Sequence, residues 1–269
     1  MRTNGPQSGQ APRTFLGVWC RIVVLLAVLA VPVAAWAGAP LVTDDPGTPG
    51  EKTWEINLSH TTISCQHQTQ YRTPLFDINY GTLENDQWHL EVPVMVLDQP
   101  GSDPASGLGD IVFGYKYRFL EEDDWGFSAA VFPQILLPTG RASAGLGLGL
   151  FSAFCPLQIG RHFADEKLYV YGQVGYAVVP GDANLNFWNY GIAAEWSLSE
   201  RIELLGEFGG AEFSWEGHTD DIYCDFGFRW HLDDTAALMA TFGRNFHNGF
   251  GGEPEWTAYV GVQFVRGGK

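Results

Sequence analysis

The sequence predicts an all-β protein: a transmembrane, up-and-down, antiparallel β-barrel of about 12 strands that follows a cleaved signal peptide. Three observations predict it. Apolar and polar residues alternate with a period of two along most of the chain, as on strands with two unlike faces. Most of the alternating stretches run 10 to 16 residues. A usual globular strand has about 5–6, and a tilted strand crossing a bilayer needs about 9–11. Between the stretches, short turns interchange with longer glycine-rich links, the pattern of an outer-membrane barrel's two ends.

The first element is the leader. Arg2, Arg13 and Arg21 precede an unbroken apolar run from Ile22 to Ala37, which closes on Ala35-Trp36-Ala37. The run contains Pro32 and falls short of the about 18 residues a membrane-spanning anchor requires. Cleavage of residues 1–37, with Gly38 as the mature start, is therefore favoured. Trp19 stands before Cys20, and the apolar segment follows that cysteine instead of leading to it, which argues against a lipoprotein. Of 15 Lys and Arg, three arginines leave with the leader, so 12 face 31 Asp and Glu. Such an acidic chain repels nucleic acid, and no basic arm offsets it. Cys65, Cys155 and Cys224 remain, an odd and scattered set that forms neither a disulfide framework nor a C-x-x-C site.

Residues 38–51 are expected to form a periplasmic N-terminal arm, 52–265 the barrel and 266–269 a C-terminal tail. The expected strands are 52–62, 71–81, 88–98, 110–119, 125–137, 145–160, 167–179, 186–198, 201–215, 220–232, 235–247 and 254–265. In the tenth, Ile222, Cys224, Phe226, Phe228, Trp230 and Leu232 oppose Tyr223, Asp225, Gly227, Arg229 and His231. In the fourth, Ile111, Phe113, Tyr115, Tyr117 and Phe119 oppose Val112, Gly114, Lys116 and Arg118. Short turns are expected at 120–124, 161–166, 199–200 and 233–234, and longer links at 63–70, 99–109, 138–144, 180–185, 216–219 and 248–253. An even strand count then puts both termini in the periplasm.

Lipid is the expected solvent of the apolar face. The opposite face is rich in Gly, Ala, Ser and Tyr, poor cover for a soluble surface but suited to a crowded lumen. Trp88, Trp125, Trp215, Trp230 and Trp256 gather near strand ends, as interfacial girdles require.

Several stretches resemble a family of outer-membrane proteins named for the MetA pathway of phenol degradation, or described simply as transporters. They are Pro40–Gly50 (PLVTDDPGTPG), Trp54–Asn57, Pro74–Gly81, Leu90–Val94, Gly107–Leu120, Pro133–Gly140 and Tyr259–Phe264. The resemblance covers nearly all of the mature chain and implies a transmembrane barrel that passes small hydrophobic or aromatic compounds. It carries over no catalytic residues. One departure is the ending: such barrels commonly finish on an aromatic residue, whereas Phe264 is followed by Val265, Arg266, Gly267, Gly268 and Lys269.

By parity the lumen receives Asp77, Glu91, Lys116, Arg118, Glu195, Glu203, Glu207, Asp225, Arg229 and His231. Paired, these would brace the wall, and one register sets Glu207 opposite Arg229. They would equally form a constriction that sorts permeants by charge and hydrogen bonding. Tyr169, Tyr171, Tyr223 and Tyr259 would project inward, either as filling or as stacking surfaces for an aromatic solute. GLGLGLF (Gly145–Phe151) fails as a phosphate loop, since its glycines recur every second residue and no helix follows; it reads as a strand with Leu146, Leu148 and Leu150 on the lipid side. Asp44-Asp45-Pro46-Gly47 is ordinary turn chemistry and too small a set for calcium. The arm that carries it could also tuck into the lumen. Ser59-His60 could be drawn as part of a hydrolase triad, but no G-x-S-x-G frames it. Cys65-Gln66-His67 offers too few ligands for a metal.

The expected function is therefore an outer-membrane channel for passive passage of small organic solutes, without enzyme activity, cofactor or metal. The partners are outer-membrane lipid, the solutes and the barrel-assembly machinery. The alternatives are a closed structural barrel with a charge-plugged lumen, and a membrane-embedded hydrolase.

Overall fold

The computed structural model describes residues 39–213, 221–246 and 254–267. The expected leader and the links at 216–219 and 248–253 lie outside the described residues. The strands are β1 (Thr53–Cys65), β2 (Gln68–Tyr80), β3 (Asp86–Asp98), β4 (Ala105–Leu108), β5 (Ile111–Leu120), β6 (Ser128–Val131) and β7 (Gln134–Leu137). They continue with β8 (Ser152–Phe163), β9 (Leu168–Val178), β10 (Phe187–Ser199), β11 (Ile202–Phe213), β12 (Asp221–Asp233), β13 (Ala236–Asn245) and β14 (Pro254–Gly267).

All pairings are antiparallel between neighbours, and β1 closes on β14 from Thr53↔Gly267 to Ser64↔Trp256. β4 and β5 lie end to end along β3, and β6 and β7 lie end to end between β5 and β8. The fourteen strands thus make twelve staves of one closed barrel. The start of β1 and the end of β14 lie together at one end of it, called here the near end.

The sequence explains the near-end turns. Asp86 accepts the backbone N–H groups of Thr82 and Leu83 at 2.7 and 2.8 Å, and Asp233 accepts that of Thr235 at 2.8 Å. Aspartate side chains that satisfy backbone donors in this way hold tight turns. Asp124 and Trp125 sit in a short helix, Glu122–Trp125, where 120–124 was expected to be a plain turn; it ends on Gly126 at φ 77°. That left-handed conformation suits a residue without a Cβ.

The structure corrects several further expectations. The expected long link at 63–70 is a tight turn, because β1 continues to Cys65 and β2 starts at Gln68. The stave expected at 125–137 breaks at Phe132-Pro133, since proline has no N–H to give the ladder. There Phe132 N–H donates to the Pro156 carbonyl, and Tyr115 N–H to the Pro133 carbonyl, both at 3.0 Å. Gly114 makes room for the inward Phe132 ring, which lies 2.8 Å from where a Cβ would stand.

The largest correction is at 145–160. Strand starts only at Ser152, and Gly145–Phe151 belongs to a loop folded into the far end of the barrel. Asp110 holds that loop by accepting the N–H groups of Gly140 and Leu148 at 2.8 and 2.6 Å. Leu146, expected to face lipid, is buried on Met95 and Leu97.

The outward face is the apolar one throughout: Phe226 is 66% exposed, Phe242 58% and Ile192 56%. Two aromatic belts ring it. Trp54 packs on Tyr80 at 4.5 Å and Trp88 on Tyr115 at 4.7 Å near one rim; Tyr176 packs on Trp188 at 4.8 Å near the other. A wall that is oily between two aromatic rings matches a bilayer. Phe226 stands near the middle of β12. Phe226→Arg is expected to cost about 2–4 kcal/mol of folding free energy in lipid vesicles, read by denaturant titration. No loss of stability would mean that hydrocarbon does not touch this face.

Candidate pore

The inner wall is built by the second parity of every strand. All ten charged or ionisable residues expected in the lumen point inward: Asp77, Glu91, Lys116, Arg118, Glu195, Glu203, Glu207, Asp225, Arg229 and His231. So do Tyr169, Tyr171, Tyr223 and Tyr259.

Of the two places the sequence left open for the arm, periplasm and lumen, the structure shows the lumen. Residues 40–49, expected in the periplasm, lie inside the barrel and cross it. Glu207 accepts the backbone N–H groups of Val42 and Thr43, both at 2.7 Å. Gln173 accepts from Asp44 N–H and donates to the Val42 carbonyl, each at 3.2 Å. Thr241 donates to the Pro40 carbonyl at 3.3 Å. Leu41 is buried against Tyr171, Ala193 and Leu205. Asp44 is more than turn chemistry: its carboxylate meets Lys116 Nζ at 2.8 Å and accepts from Gln158 at 2.9 Å. Asp45 does serve the turn, accepting Gly47 N–H at 2.5 Å. At the near end, Lys52 N–H donates to the Gly81 carbonyl at 2.8 Å, which returns the arm to the wall at β1.

Around the arm the wall carries two polar clusters. In one, Arg229 Nη1 lies 2.9 Å from both Glu195 and Glu203, His231 lies 3.2 Å from Glu203, and Tyr171 donates to Glu195 at 3.0 Å. In the other, Asp77 lies 3.2 Å from His89 and accepts from Asn57 and Asn79 at 3.1 Å each. Further out, Arg72 lies 3.9 Å from Glu91, and Arg118 reaches Glu121 at 2.9 Å in the near-end turn. Tyr169 stacks on His162, with ring centroids 4.1 Å apart.

The expected pairing of Glu207 with Arg229 is corrected. In the ladder between β11 and β12, Glu203 faces Arg229 and Glu207 faces Asp225, four residues from the expected partner. The far end is different in kind. There Val112, Leu136, Phe154, Ala177, Phe187 and Ala211 form an apolar cluster, with Leu148 of the inturned loop against it. The lumen thus passes from an apolar far mouth to a polar waist.

Between the arm and the wall lies a cavity of about 270 Å³, bordered by Asp45 and Thr48 of the arm and by Glu55, Asn79, Gln87 and Gln263 of the wall. At about 30 Å³ per water this holds roughly nine waters or one small organic molecule.

The hydrolase pair is dismantled by parity. Ser59 faces the lumen, whereas His60 pairs with the exposed Val260 on the outer side and contacts Thr62 at 2.9 Å. Cys65 is buried at the far-end turn beside Gln66 and His67. Among the described residues no three His, Cys, Asp or Glu side chains are grouped to hold a metal ion.

Sequence reasoning also passed over Asn57, Asn79 and His89, which share the parity of Asp77 and Glu91 and were legible by that signal. Gln158 and Gln173 hold the arm without charge. Gln158 was hidden by the phase assigned from 145–150, which places Leu157 inward; in the structure Gln158 is fully buried and Leu157 faces out.

Comparison with known proteins adds three findings. A protein family described as "Putative MetA-pathway of phenol degradation" matches residues 37–251. An outer membrane channel from Pseudomonas putida F1 is similar in structure, with a TM-score of 0.65 at 12% identity, over 83% of this chain and 98% of that one. The NanC porin follows the same fold with a TM-score of 0.57 at 10% identity, over 78% of this chain and 98% of that one. The KdgM porin, solved with disordered oligogalacturonate, gives 0.51 at 12% identity, over 78% and 98%. No curated protein matches the sequence.

Proposed function

Since the chain belongs to the MetA-pathway family, we propose that it is an outer-membrane channel for passive passage of small organic solutes. The cavity beside the arm carries this reading: a polar space of about 270 Å³ persists within the barrel, as a path for small solutes requires. The family's description points to phenolic compounds, and an apolar far mouth leading to polar groups suits a molecule with an oily ring and a hydroxyl. The solved barrels it resembles are described as an outer membrane channel and as porins, which agrees with passage and not with catalysis.

The short turns at the near end and the longer connections at most far-end positions support a periplasmic near end, with both termini there. Assembly would then rest on the cell's barrel-insertion machinery. The arm favours a second reading, a closed barrel, because it crosses the waist.

Liposome swelling with phenol, catechol and a sugar of similar size separates the two. Uptake of the phenolic solutes, faster than that of the sugar, is the expected result. A correctly folded barrel that admits none of them and shows no conductance in a planar bilayer would overturn the channel.

A further inference from the structure

We propose that the cavity beside the arm is a binding station for small organic cations, molecules with an ammonium group on an apolar or aromatic body. This deepens the channel reading, on which its role in passage rests, but the binding itself does not depend on conductance.

Charges around this partly open volume are unequally paired. Two permanent cations reach the cavity, Lys116 and Arg229, and both are already engaged. Lys116 lies 2.8 Å from Asp44, and Arg229 lies 2.9 Å from each of Glu195 and Glu203. Two carboxylates that border the same space, Asp45 and Glu55, have no ion-pair partner among the described residues. Glu55 accepts only long contacts, at 3.4 Å, from Asn57 and Asn79. One stands on the arm and one on β1.

Carboxylates in a partly dry site attract a positive charge more strongly than they would in water. The Phe132 and Tyr169 rings border the space as well. Lys116 Nζ already lies over the Phe132 ring at 5.0 Å and His162 stacks on Tyr169, so the rings offer their edges to the hydrocarbon body while the two carboxylates receive the ammonium group. A volume of about 270 Å³ accommodates one aromatic amine with room for water. An anion of the same shape would meet two uncompensated like charges.

Benzylamine is the probe, with benzyl alcohol and benzoate as its neutral and anionic counterparts. Binding to the full mature protein in detergent, at mildly alkaline pH, is read by calorimetry, and ion selectivity by the reversal potential in a salt gradient. Saturable binding of benzylamine, at least about tenfold tighter than benzoate, is expected. Glu55→Gln and, separately, Asp45→Asn should each weaken it about fivefold while the barrel keeps its heat-resistant migration on gels. Asp45→Asn lies on the arm and tests the site should Glu55→Gln hamper folding.

Equal binding of benzylamine and benzoate, or no saturable binding of either, would overturn the station. Conductance with anion preference would do the same while leaving the channel intact. Binding without any conductance would instead retain the station and sink the channel.

Discussion

Removal of residues 39–48 from the mature protein is expected to raise single-channel conductance about two- to fivefold, because the segment crosses the lumen from wall to wall. Twelve staves enclose a space between that of a side-chain-filled eight-stranded barrel and an open porin, so one extended chain takes up much of the free section. The hold on the segment is specific. Glu207 takes two backbone N–H groups at 2.7 Å, and intramolecular hydrogen bonds contribute about 0.5–1.5 kcal/mol each. Glu207→Ala should therefore accelerate hydrogen exchange at Val42 and Thr43 at least about tenfold, with conductance flickering between the wild-type and deletion levels. Wild-type conductance in the deletion variant would show that solutes do not pass where the arm lies.

Arg229→Met is expected to have the largest effect on stability. It strips the one permanent cation that, among the described residues, pairs with Glu195 and Glu203, and leaves two carboxylates close together in a largely buried wall. Breaking such a pair by removing one partner costs about 3–5 kcal/mol. The midpoint of thermal unfolding in detergent should fall accordingly. The double variant Arg229→Met with Glu203→Gln should recover part of the loss, because one stranded charge is then gone. Unchanged stability in the single variant would mean that water already screens these groups and that the cluster is not a brace.

How much of this was legible depended on what the sequence pattern reports. Side-chain parity reports which of two solvents a residue meets, and both faces of a barrel wall are distinct, so Asp77, Lys116, Arg229 and the four tyrosines were placed inward from spacing alone. Parity fails where alternation arises without a strand. Leu146, Leu148 and Leu150 alternate with glycines, yet Asp110 pulls that segment inside as a loop. Nothing local announces a distant aspartate, and the false strand reversed the phase at Gln158.

Register was less legible still. Whether Glu207 meets Arg229 or Asp225 depends on the register of the ladder, and alternation leaves that open because partners four residues apart share one face. The place of the arm stayed open between periplasm and lumen for a different reason. Pro40–Gly50 has no period to read, and its place is fixed by Glu207, Gln173 and Lys116, more than 70 residues downstream in every case.

The grip of Glu207 on Val42 and Thr43 has a consequence for how the sequence can drift. It engages main-chain amides, so the identity of the side chain at 42, which is only half-buried, is irrelevant to it. Natural variation there should be broad and stop at one residue, proline, which has no amide hydrogen to offer. Thr43 is not so free: it is 1% exposed and presses on Gly191, where an added Cβ would collide with its hydroxyl. Two adjacent positions that share one carboxylate would thus tolerate change to opposite degrees, and a reader who ranked importance by variability alone would overlook half of the clasp.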